Sequence, residues 1–311
     1  MKLRHIGYAC INVQIDLTTN RTFRLAKLSE DQARQTAAVN FAALQEILKW
    51  NVRHGIRLFR VGSSIIPFAS HEQFTLDWAS AFAGEIAAIR QYVKDNGLRL
   101  SMHPGQYTVL NSPNPKTLAD SVREIEWQTR LVSELDPEQG VAVLHIGGAY
   151  GDKEKAIDRF AEHFHRYLSD TARSRLVIEN DDVTFTLDEV LSLHEMTGSP
   201  IIFDILHHKA NHVGDDWTER LLPKLERVVA SWRGKAPKVH LSSPKAGSKT
   251  THADYIEQPD FEELLYWMDQ LRNPGPFDVM IEAKLKDKAV QALSCEGFTP
   301  PEMLAAAGGG A

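Results

Sequence analysis

This sequence of 311 residues has few cysteines, no long hydrophobic run and no excess of positive charge. Its two cysteines, Cys10 and Cys295, can form at most one bridge, which excludes a disulfide-rich secreted scaffold and favours reduced thiols. No stretch approaches the ~20 consecutive apolar residues of a membrane span. The first apolar stretch is interrupted by Asn12 and Gln14, whereas the apolar core of a signal peptide is continuous. We therefore expect a cytoplasmic protein with no membrane contact.

Charge is distributed unevenly along the chain. Lys and Arg number 35 against 41 Asp and Glu, and the resulting net charge of −6 argues at first against a nucleic-acid partner. Residues 1–29, however, contain five cations and one acid, and residues 227–249 contain six cations and no acid. By themselves these two basic segments are more typical of a solvated face than of a DNA-binding surface.

Short β-branched or aliphatic runs alternate with longer amphipathic stretches along the whole chain, and this alternation predicts eight βα units. The predicted strands are residues 3–10, 57–61, 98–102, 141–146, 176–179, 200–204, 238–241 and 278–282. Eight such units favour a closed (β/α)8 TIM barrel. An open sheet would normally carry a nucleotide-binding loop after its first strand, and no GxGxxG or Walker loop is found there. We expect a single domain over residues 1–300 and a disordered Ala/Gly-rich tail over 301–311.

Helix starts are indicated by side chains that cap the first turn. The candidate capping pairs are Ser29 with Gln32, Thr186 with Glu189, and Asp260 with Glu263. Gly55 and Gly198 are expected to end the first two of these helices.

Six of the eight predicted strands run into a residue type that binds metals. These residues are His103, His145, Glu179, Asp204, His240 and Glu282. Barrel enzymes carry their chemistry at the carboxyl ends of the strands, so we expect the six side chains to converge. Scattered, unpaired charges on adjacent buried strands would be costly, which makes a shared metal site the better interpretation.

Three further candidate ligands lie in the loops that follow these strands. His207 comes three residues after Asp204, whereas His71 and His252 lie in long loops, where either one alone would more often be a surface histidine. Nine groups exceed the three or four protein ligands of one catalytic zinc, so the sequence predicts two or three divalent ions. Imidazole and carboxylate ligands suit zinc and manganese alike, and such clusters hydrolyse phosphate esters.

Lys238 precedes His240 by two residues in one predicted strand, so both side chains point to the same face. One interpretation is a barrel lysine paired with a carboxylate such as Glu282. The other is a deprotonated or modified lysine that serves the metals.

Seven motifs in chain order closely resemble those of the UV damage endonucleases, which are barrel relatives of endonuclease IV. They are YACIN (8–12), HPGQY (103–107), HIGG (145–148), END (179–181), DILHH (204–208), KVHLSS (238–243) and IEAK (281–284). The resemblance covers residues 1 to about 290, and the joint occurrence of all seven motifs is far more specific than any one of them.

The resemblance implies a DNA repair nuclease. Such an enzyme cuts immediately 5′ to cyclobutane dimers and 6-4 photoproducts, with abasic sites as a further substrate, and leaves 3′-hydroxyl and 5′-phosphate ends. It implies a cluster of up to three ions, with manganese favoured over zinc or magnesium, held by the same nine ligands. Glu179, His145 and Lys238 are the expected catalytic residues, and Lys238 occupies a position that family members carboxylate.

The resemblance also implies the contacts with DNA. Gln106 and Tyr107 match a probing pair that enters the duplex where two damaged nucleotides are flipped out. Tyr8 and Asn12 match residues that line the photoproduct pocket. The basic loop residues Lys245 and Lys249 are then expected to contact phosphates. The implied partner is double-stranded DNA carrying UV lesions, with no obligate protein partner.

Two other functions are compatible with parts of this pattern. A metal-dependent sugar isomerase or epimerase also gathers carboxylates and histidines at the same rim of such a barrel, but it needs neither the basic loop nor the Gln106-Tyr107 pair. A lesion-binding protein without catalysis is expected to have an incomplete cluster, and here none of the candidate ligands is missing.

Overall fold

Eight parallel strands close into a barrel surrounded by helices, which is the (β/α)8 TIM architecture. The computed structural model describes residues 2–214, 218, 220–272 and 275–295. Consecutive strands are hydrogen-bonded neighbours, and the first strand closes the barrel by pairing with both the second and the last. The predicted fold class is confirmed.

The element boundaries follow the predicted pattern closely. The barrel strands are β1 Lys2–Ala9, β2 Leu58–Arg60, β3 Arg99–Met102, β4 Val141–His145, β5 Leu176–Glu179, β6 Ile201–Asp204, β7 Lys238–Leu241 and β8 Pro276–Ile281. The helices are α1 Glu30–Arg53, α2 Trp78–Ala81, α3 Ala83–Asp95, α4 Pro115–Leu135, α5 Lys153–Tyr167, α6 Asp170–Arg175, α7 Leu187–Thr197, α8 Ile205–Ala210, α9 Leu221–Ser231, α10 Gln258–Asp269 and α11 Asp287–Cys295. The largest strand shift is at β8, whose pairing with β1 starts at Pro276 rather than at Asp278.

Two of the three predicted helix starts have the expected cap. The Ser29 side chain accepts a hydrogen bond from the backbone N–H of Gln32 at the start of α1. Thr186 and Glu189 form a reciprocal capping box at the start of α7, which ends at Gly198 with a left-handed φ of 71°. In both helices the cap satisfies N–H groups that have no partner inside the helix.

The prediction that Asp260 begins a helix is wrong. Helix α10 begins at Gln258, and Pro259 lies in its first turn, where a missing N–H costs nothing. Asp260 instead accepts a hydrogen bond from Ser243 Oγ at 2.5 Å and from Lys209 Nζ at 3.3 Å. The residue therefore ties α10 to the loop after β7 and to α8.

Buried ion pairs close the end of the barrel where the strands begin. Asp278 of β8 accepts hydrogen bonds from Arg4 of β1 and from Arg99 of β3, both of which lie 2.6 Å from its Oδ2. The Arg99 guanidinium also lies 5.0 Å from the centroid of the Trp232 ring. This end is filled by structural contacts, which leaves the opposite end, where the strands finish, for chemistry.

The described residues form one barrel with one main apolar core that joins it to the surrounding helices. Among them, no helix combines the length and apolarity needed to cross a membrane. The predicted tail, residues 301–311, lies outside the described residues, and the single-domain boundary at residue 300 stays a prediction.

Candidate metal centre

The carboxylate of Glu179 lies at the centre of a group of imidazoles. Glu179 is the last residue of β5 and is only 1% exposed. Its Oε1 lies 2.7 Å from His240 Nδ1 and 3.9 Å from His207 Nδ1. Its Oε2 lies 3.3 Å from His103 Nε2 and 3.6 Å from His145 Nε2. Residues from several different βα units therefore meet at one buried carboxylate.

Strand register brings these residues together. His145 and Glu179 are paired positions of β4 and β5, and Asp204 and His240 are paired positions of β6 and β7. In a parallel sheet, paired positions at the strand ends place their side chains at the same rim. The sequence positions are distant, but the register makes the residues neighbours.

Asp204 and His207 are held by a short helical turn after β6. Asp204 Oδ1 accepts a hydrogen bond from the His207 backbone N–H at 2.9 Å, which caps α8. His207 Nδ1 lies 3.9 Å from the other oxygen of Asp204. Asn180, which the sequence analysis did not single out as a site residue, exchanges two hydrogen bonds of 3.0 Å with the Asp204 backbone. It therefore fixes the end of β6 against the end of β5.

Glu282 forms the other side of the cluster. Its Oε1 lies 3.3 Å from His240 Nδ1, and its Oε2 lies 3.9 Å from His252 Nδ1. Arg60 donates a hydrogen bond of 2.5 Å from Nη1 to Oε1. Arg60 is the last residue of β2 and was not predicted as a site residue, because only metal-ligating residue types were expected at the strand ends.

The donor set and its spacing fit divalent ions. Two groups, His103 with His145 and Glu179, and Glu179 with Asp204 and His240, each have ligand atoms within 4.8 Å of one another. Atoms bound to one ion at 2.0–2.2 Å are at most about 4.4 Å apart, so small side-chain adjustments suffice. Because Glu179 belongs to both groups, the arrangement could hold two ions that share this carboxylate.

Unsatisfied polar atoms also point to an additional group at this site. Asp204 Oδ2, His145 Nδ1, His240 Nε2 and Lys238 Nζ are buried and have no hydrogen-bond partner among the described residues. Buried polar atoms in folded proteins are nearly always paired. For Asp204 Oδ2 in particular, a cation would supply the missing partner.

Protonation at the cluster is strongly perturbed by burial and by neighbouring charges. Burial raises the pKa of Asp204 to about 7, and the carboxylates of Glu179 and Glu282 act in the same direction. Burial alone would lower the pKa of His207, but the carboxylates of Asp204 and Glu179 raise it to about 9. Burial lowers the pKa of His240 to about 4. Without cations, the site therefore holds protons where metal ligands must be deprotonated.

Lys238 lies beneath the cluster. It is fully buried in β7, and its Nζ has no hydrogen-bond partner among the described residues. Burial, and then the nearby cations Arg99 and Arg60, hold the pKa of Lys238 well below its usual range. The predicted pairing of Lys238 with Glu282 is not seen, because Lys238 Nζ has no hydrogen-bond partner among the described residues, whereas Arg60 pairs with that carboxylate.

His71 lies on the loop after β2, and the contacts that the structure describes for it are to residues outside the cluster. It lines a separate cavity of about 270 Å³ together with Phe68 and Arg123. Its Nδ1 accepts a hydrogen bond of 3.2 Å from the Gln73 backbone N–H. No hydrogen bond or ion pair joins His71 to the cluster within the described part of the chain.

The predicted probing pair lies beside the cluster on the loop after β3. Gln106 lines a cavity of about 660 Å³, whose wall also includes His103, His145 and Glu282. Tyr107 is 84% exposed and lines a second cavity of about 340 Å³. The Gly105–Thr108 turn thus borders two cavities, one of which reaches the cluster.

The other predicted DNA contacts fall into two classes. Lys245 and Lys249 are exposed on the loop after β7. Tyr8 and Asn12, in contrast, are fully buried. Tyr8 Oη donates a hydrogen bond of 2.6 Å to Asn51 Oδ1 and accepts one of 2.8 Å from Asn12 Nδ2. A contact between this pair and a lesion would require the pair to become exposed.

Sequence comparison assigns the whole barrel to one family. A family model described as UV-endonuclease UvdE matches residues 4–300. A protein named UV DNA damage endonuclease from Clostridium perfringens (strain 13 / Type A) is 37% identical over 295 residues, which is 93% of this chain and 69% of the relative. The Bacillus pumilus (strain SAFR-032) protein of the same name is 36% identical, over 87% of this chain and 85% of its own.

Structural comparison gives the same result. The crystal structure of SacUVDE superposes with a TM-score of 0.85 at 32% identity, covering 94% of this chain and 99% of the other. Endonuclease IV from Thermus thermophilus gives a TM-score of 0.60 at 16% identity, over 94% and 97% of the two chains. D-Psicose 3-epimerase from Clostridium cellulolyticum H10 gives a TM-score of 0.56 at 12% identity, over 98% of this chain and 97% of the other. The last two share only the fold with this chain.

Titration of the metal-free protein with Mn²⁺ should release protons, and the affinity should rise between about pH 6 and pH 9. The pKa values of Asp204 and His207 are both raised, so these side chains still hold protons at neutral pH and must lose them to bind a cation. Calorimetry in buffers with different ionisation heats measures the protons released. His207→Gln should remove the upper part of the pH dependence, whereas His165→Ala, an exposed control, should not. Affinity that is constant over this range would contradict the assignment.

Proposed function

This chain belongs to the UV-endonuclease UvdE family, and from that premise we propose that it is a metal-dependent DNA repair endonuclease acting 5′ to ultraviolet photoproducts. The proposed substrates are cyclobutane dimers and 6-4 photoproducts in double-stranded DNA, with abasic sites as a further substrate. One observation carries the metal-dependent part of the proposal. Three residues of the cluster, His103, His145 and Glu282, line a 660 Å³ cavity that Gln106 also lines, and His103 and His145 form a potential metal-binding group with Glu179.

Charge explains why this site needs cations to act on DNA. Glu179, Asp204 and Glu282 place three carboxyl groups at the end of the barrel, and ionised carboxylates repel a phosphodiester. Burial opposes ionisation of Glu282, but Arg60 and His240 hold its pKa well below the usual range. Arg60 offsets one negative charge, and bound divalent ions would offset the others.

The proposed ligands are the eight residues that converge, together with His71. The converging residues are His103, His145, Glu179, Asp204, His207, His240, His252 and Glu282. Divalent ions held there, with manganese favoured over zinc or magnesium, would lower the pKa of a coordinated water and polarise the scissile phosphate. His71, from the loop after β2, is proposed as the ninth ligand.

The chain's own residues supply orientation in this reaction. Glu179, between the two groups of ligands, would bridge cations or orient the attacking water. His145, whose Nδ1 is buried without a partner among the described residues, would hold its cation through Nε2. The water attacks phosphorus in line with the departing 3′ oxygen, so that the products carry 3′-hydroxyl and 5′-phosphate ends. No side-chain nucleophile is required.

Lesion recognition is proposed for the loop after β3. Extruding a nucleotide costs a few kcal/mol, and least at a lesion that already stacks poorly. Tyr107, which is 84% exposed, gains contact with bases when it enters the duplex, and the amide of Gln106 can bond to unpaired base edges. Tyr8 and Asn12, which are buried, are proposed to contact the lesion once the residues that cover them have moved.

Phosphate contacts are proposed for the exposed loop after β7. Lys245 and Lys249 lie in the basic segment 227–249, on the loop that also carries the cluster residue His252. Cations at this rim would hold the DNA backbone against the cluster and make binding depend on salt. A cytoplasmic location and the lack of an obligate protein partner remain predictions.

Damage-dependent nicking tests the proposed function most simply. With Mn²⁺, UV-irradiated supercoiled plasmid should be nicked, and neither intact plasmid nor a sample containing chelator should be. His145→Ala and Glu282→Ala should each lower the rate at least about a hundredfold, because metal-assisted stabilisation of the transition state is worth several kcal/mol. The exposed controls His165→Ala and Glu195→Ala should behave as the unmodified protein. Equal inertness on both plasmids, with turnover of a ketohexose such as D-psicose, would favour an epimerase instead.

We also propose that Lys238 carries a carbamate. A neutral amine adds to carbon dioxide to form a new N–C bond and releases one proton, so that Lys–NH₂ becomes Lys–NH–COO⁻. The pKa of Lys238, held well below its usual range by burial, makes the neutral amine available. The product would be an anion that bound cations stabilise, in place of a buried amine that has no hydrogen-bond partner among the described residues.

Lys238→Ala should lose nicking activity, and acetate or propionate should restore part of it by placing a carboxylate in the vacated space. Independently of activity, ¹³C-bicarbonate should give the unmodified protein a bound-carbamate NMR signal that is absent from Lys238→Ala. Full activity of Lys238→Ala without added acid, or the same NMR spectrum for both proteins, would rule the carbamate out.

A further inference from the structure

Tyr150 lines the 660 Å³ cavity but belongs neither to the ligand cluster nor to the probing pair. It lies on the loop between β4 and α5, five residues after His145, and it lines the 660 Å³ cavity that contains Gln106. Half of the residue is exposed. A half-exposed aromatic ring on the wall of a cavity that reaches the proposed reaction centre calls for a physical explanation.

The backbone at Tyr150 is strained. Its φ of 51° lies in the left-handed region, which residues other than glycine, asparagine and aspartate rarely occupy. The nearby Gly147 and Gly151 also have positive φ, so the loop already contains residues better suited to this conformation. Strain of this kind persists where surrounding contacts enforce it, and it is frequent in binding sites.

Neighbouring groups hold the ring in place from two sides. The Arg159 guanidinium of α5 lies 5.3 Å from the ring centroid, and its Nε donates a hydrogen bond of 2.6 Å to the Asn111 carbonyl. A Cβ at Gly148 would lie 3.1 Å from the ring edge, so glycine at this position allows the ring to lie close to the backbone. Asn111 Nδ2 donates a hydrogen bond of 2.8 Å to the Gly148 carbonyl and fixes this part of the loop.

The remaining exposed surface of the ring can take a flat aromatic ligand. With Arg159 against one face, a nucleobase can stack on the other, and the cation strengthens such an arrangement. A cavity of about 660 Å³ falls within the usual range for small-molecule sites and can admit an extruded nucleotide. Stacking of a base on an aromatic side chain is independent of base identity.

We propose that Tyr150 is a stacking platform for a nucleobase extruded from the duplex into this cavity, and that it helps to select substrates that carry a base there. This inference rests on the proposed function, because it requires DNA with a displaced nucleotide at the site. It assigns a binding residue that the predicted probing pair does not include.

The experiment compares two damaged duplexes that differ only in the bases. One carries a single thymine 6-4 photoproduct, a dimer whose 3′ pyrimidone ring stays flat and aromatic, and the other carries two adjacent tetrahydrofuran residues, which have no base, at the same positions. Each unlabelled duplex competes with cleavage of a labelled dimer duplex under single-turnover conditions with Mn²⁺. The competition gives the affinity for each duplex, and the uncompeted reaction gives the maximal rate.

Tyr150→Ala should weaken affinity for the dimer duplex by about 5- to 150-fold, the range measured when aromatic stacking partners of bases are removed. Its affinity for the base-free duplex and its maximal rate should stay within about twofold of the unmodified protein. Tyr150→Phe, which retains the ring, should behave as the unmodified protein. Tyr167→Ala is the matched control, because Tyr167 is 42% exposed with an Arg166 guanidinium 5.2 Å from its ring but does not line the cavity.

A merely structural role for Tyr150 predicts equal losses on both duplexes, and that result would overturn the inference, as would no loss on either. If Tyr150→Ala fails to fold, Tyr150→Leu retains apolar volume without the aromatic ring and allows the same comparison. Failure of the proposed function is recognised separately. In that case the unmodified protein cuts the dimer duplex no faster than intact DNA, whereas failure of this inference alone leaves its preference for damage intact.

Discussion

Mutual repulsion among three carboxyl groups at one end of the barrel is the constraint on which the site depends. Glu179, Asp204 and Glu282 end or follow strands of one closed sheet, so they cannot separate without breaking the strand register. Imidazoles and Arg60 offset part of the negative charge, and burial raises the pKa of Asp204 to about 7. The cluster is therefore costly to maintain without cations and well suited to hold them.

The rim that carries the cluster also carries the loops for which DNA contacts are proposed. The loop after β3 carries Gln106 and Tyr107, the next loop carries Tyr150, and the loop after β7 carries both Lys245 and His252. Each of these loops begins at a strand that also supplies a cluster residue or runs directly into one. In the proposed function, DNA held by these loops would be brought to the cluster by the barrel itself.

Most of the barrel, and the residues at its strand ends, could be predicted because both depend on local pattern. Alternation of strands and helices fixes which residues end each strand, and a closed parallel sheet then brings those residues together. Loop geometry has no such rule, so the sequence does not fix how His71 is oriented, and in the structure His71 lines a cavity with Phe68 and Arg123. Arg60 was missed because a cation was not expected among ligands, and the strain at Tyr150 has no sequence signature.

If two cations share Glu179, anomalous diffraction at the manganese edge from crystals grown with Mn²⁺ should locate both of them. Two or three anomalous peaks are expected in the cluster, at least two of them within about 2.0–2.4 Å of a Glu179 oxygen, with imidazole nitrogens completing the coordination. Peaks confined to the protein surface, or a single ion that does not contact Glu179, would contradict this arrangement.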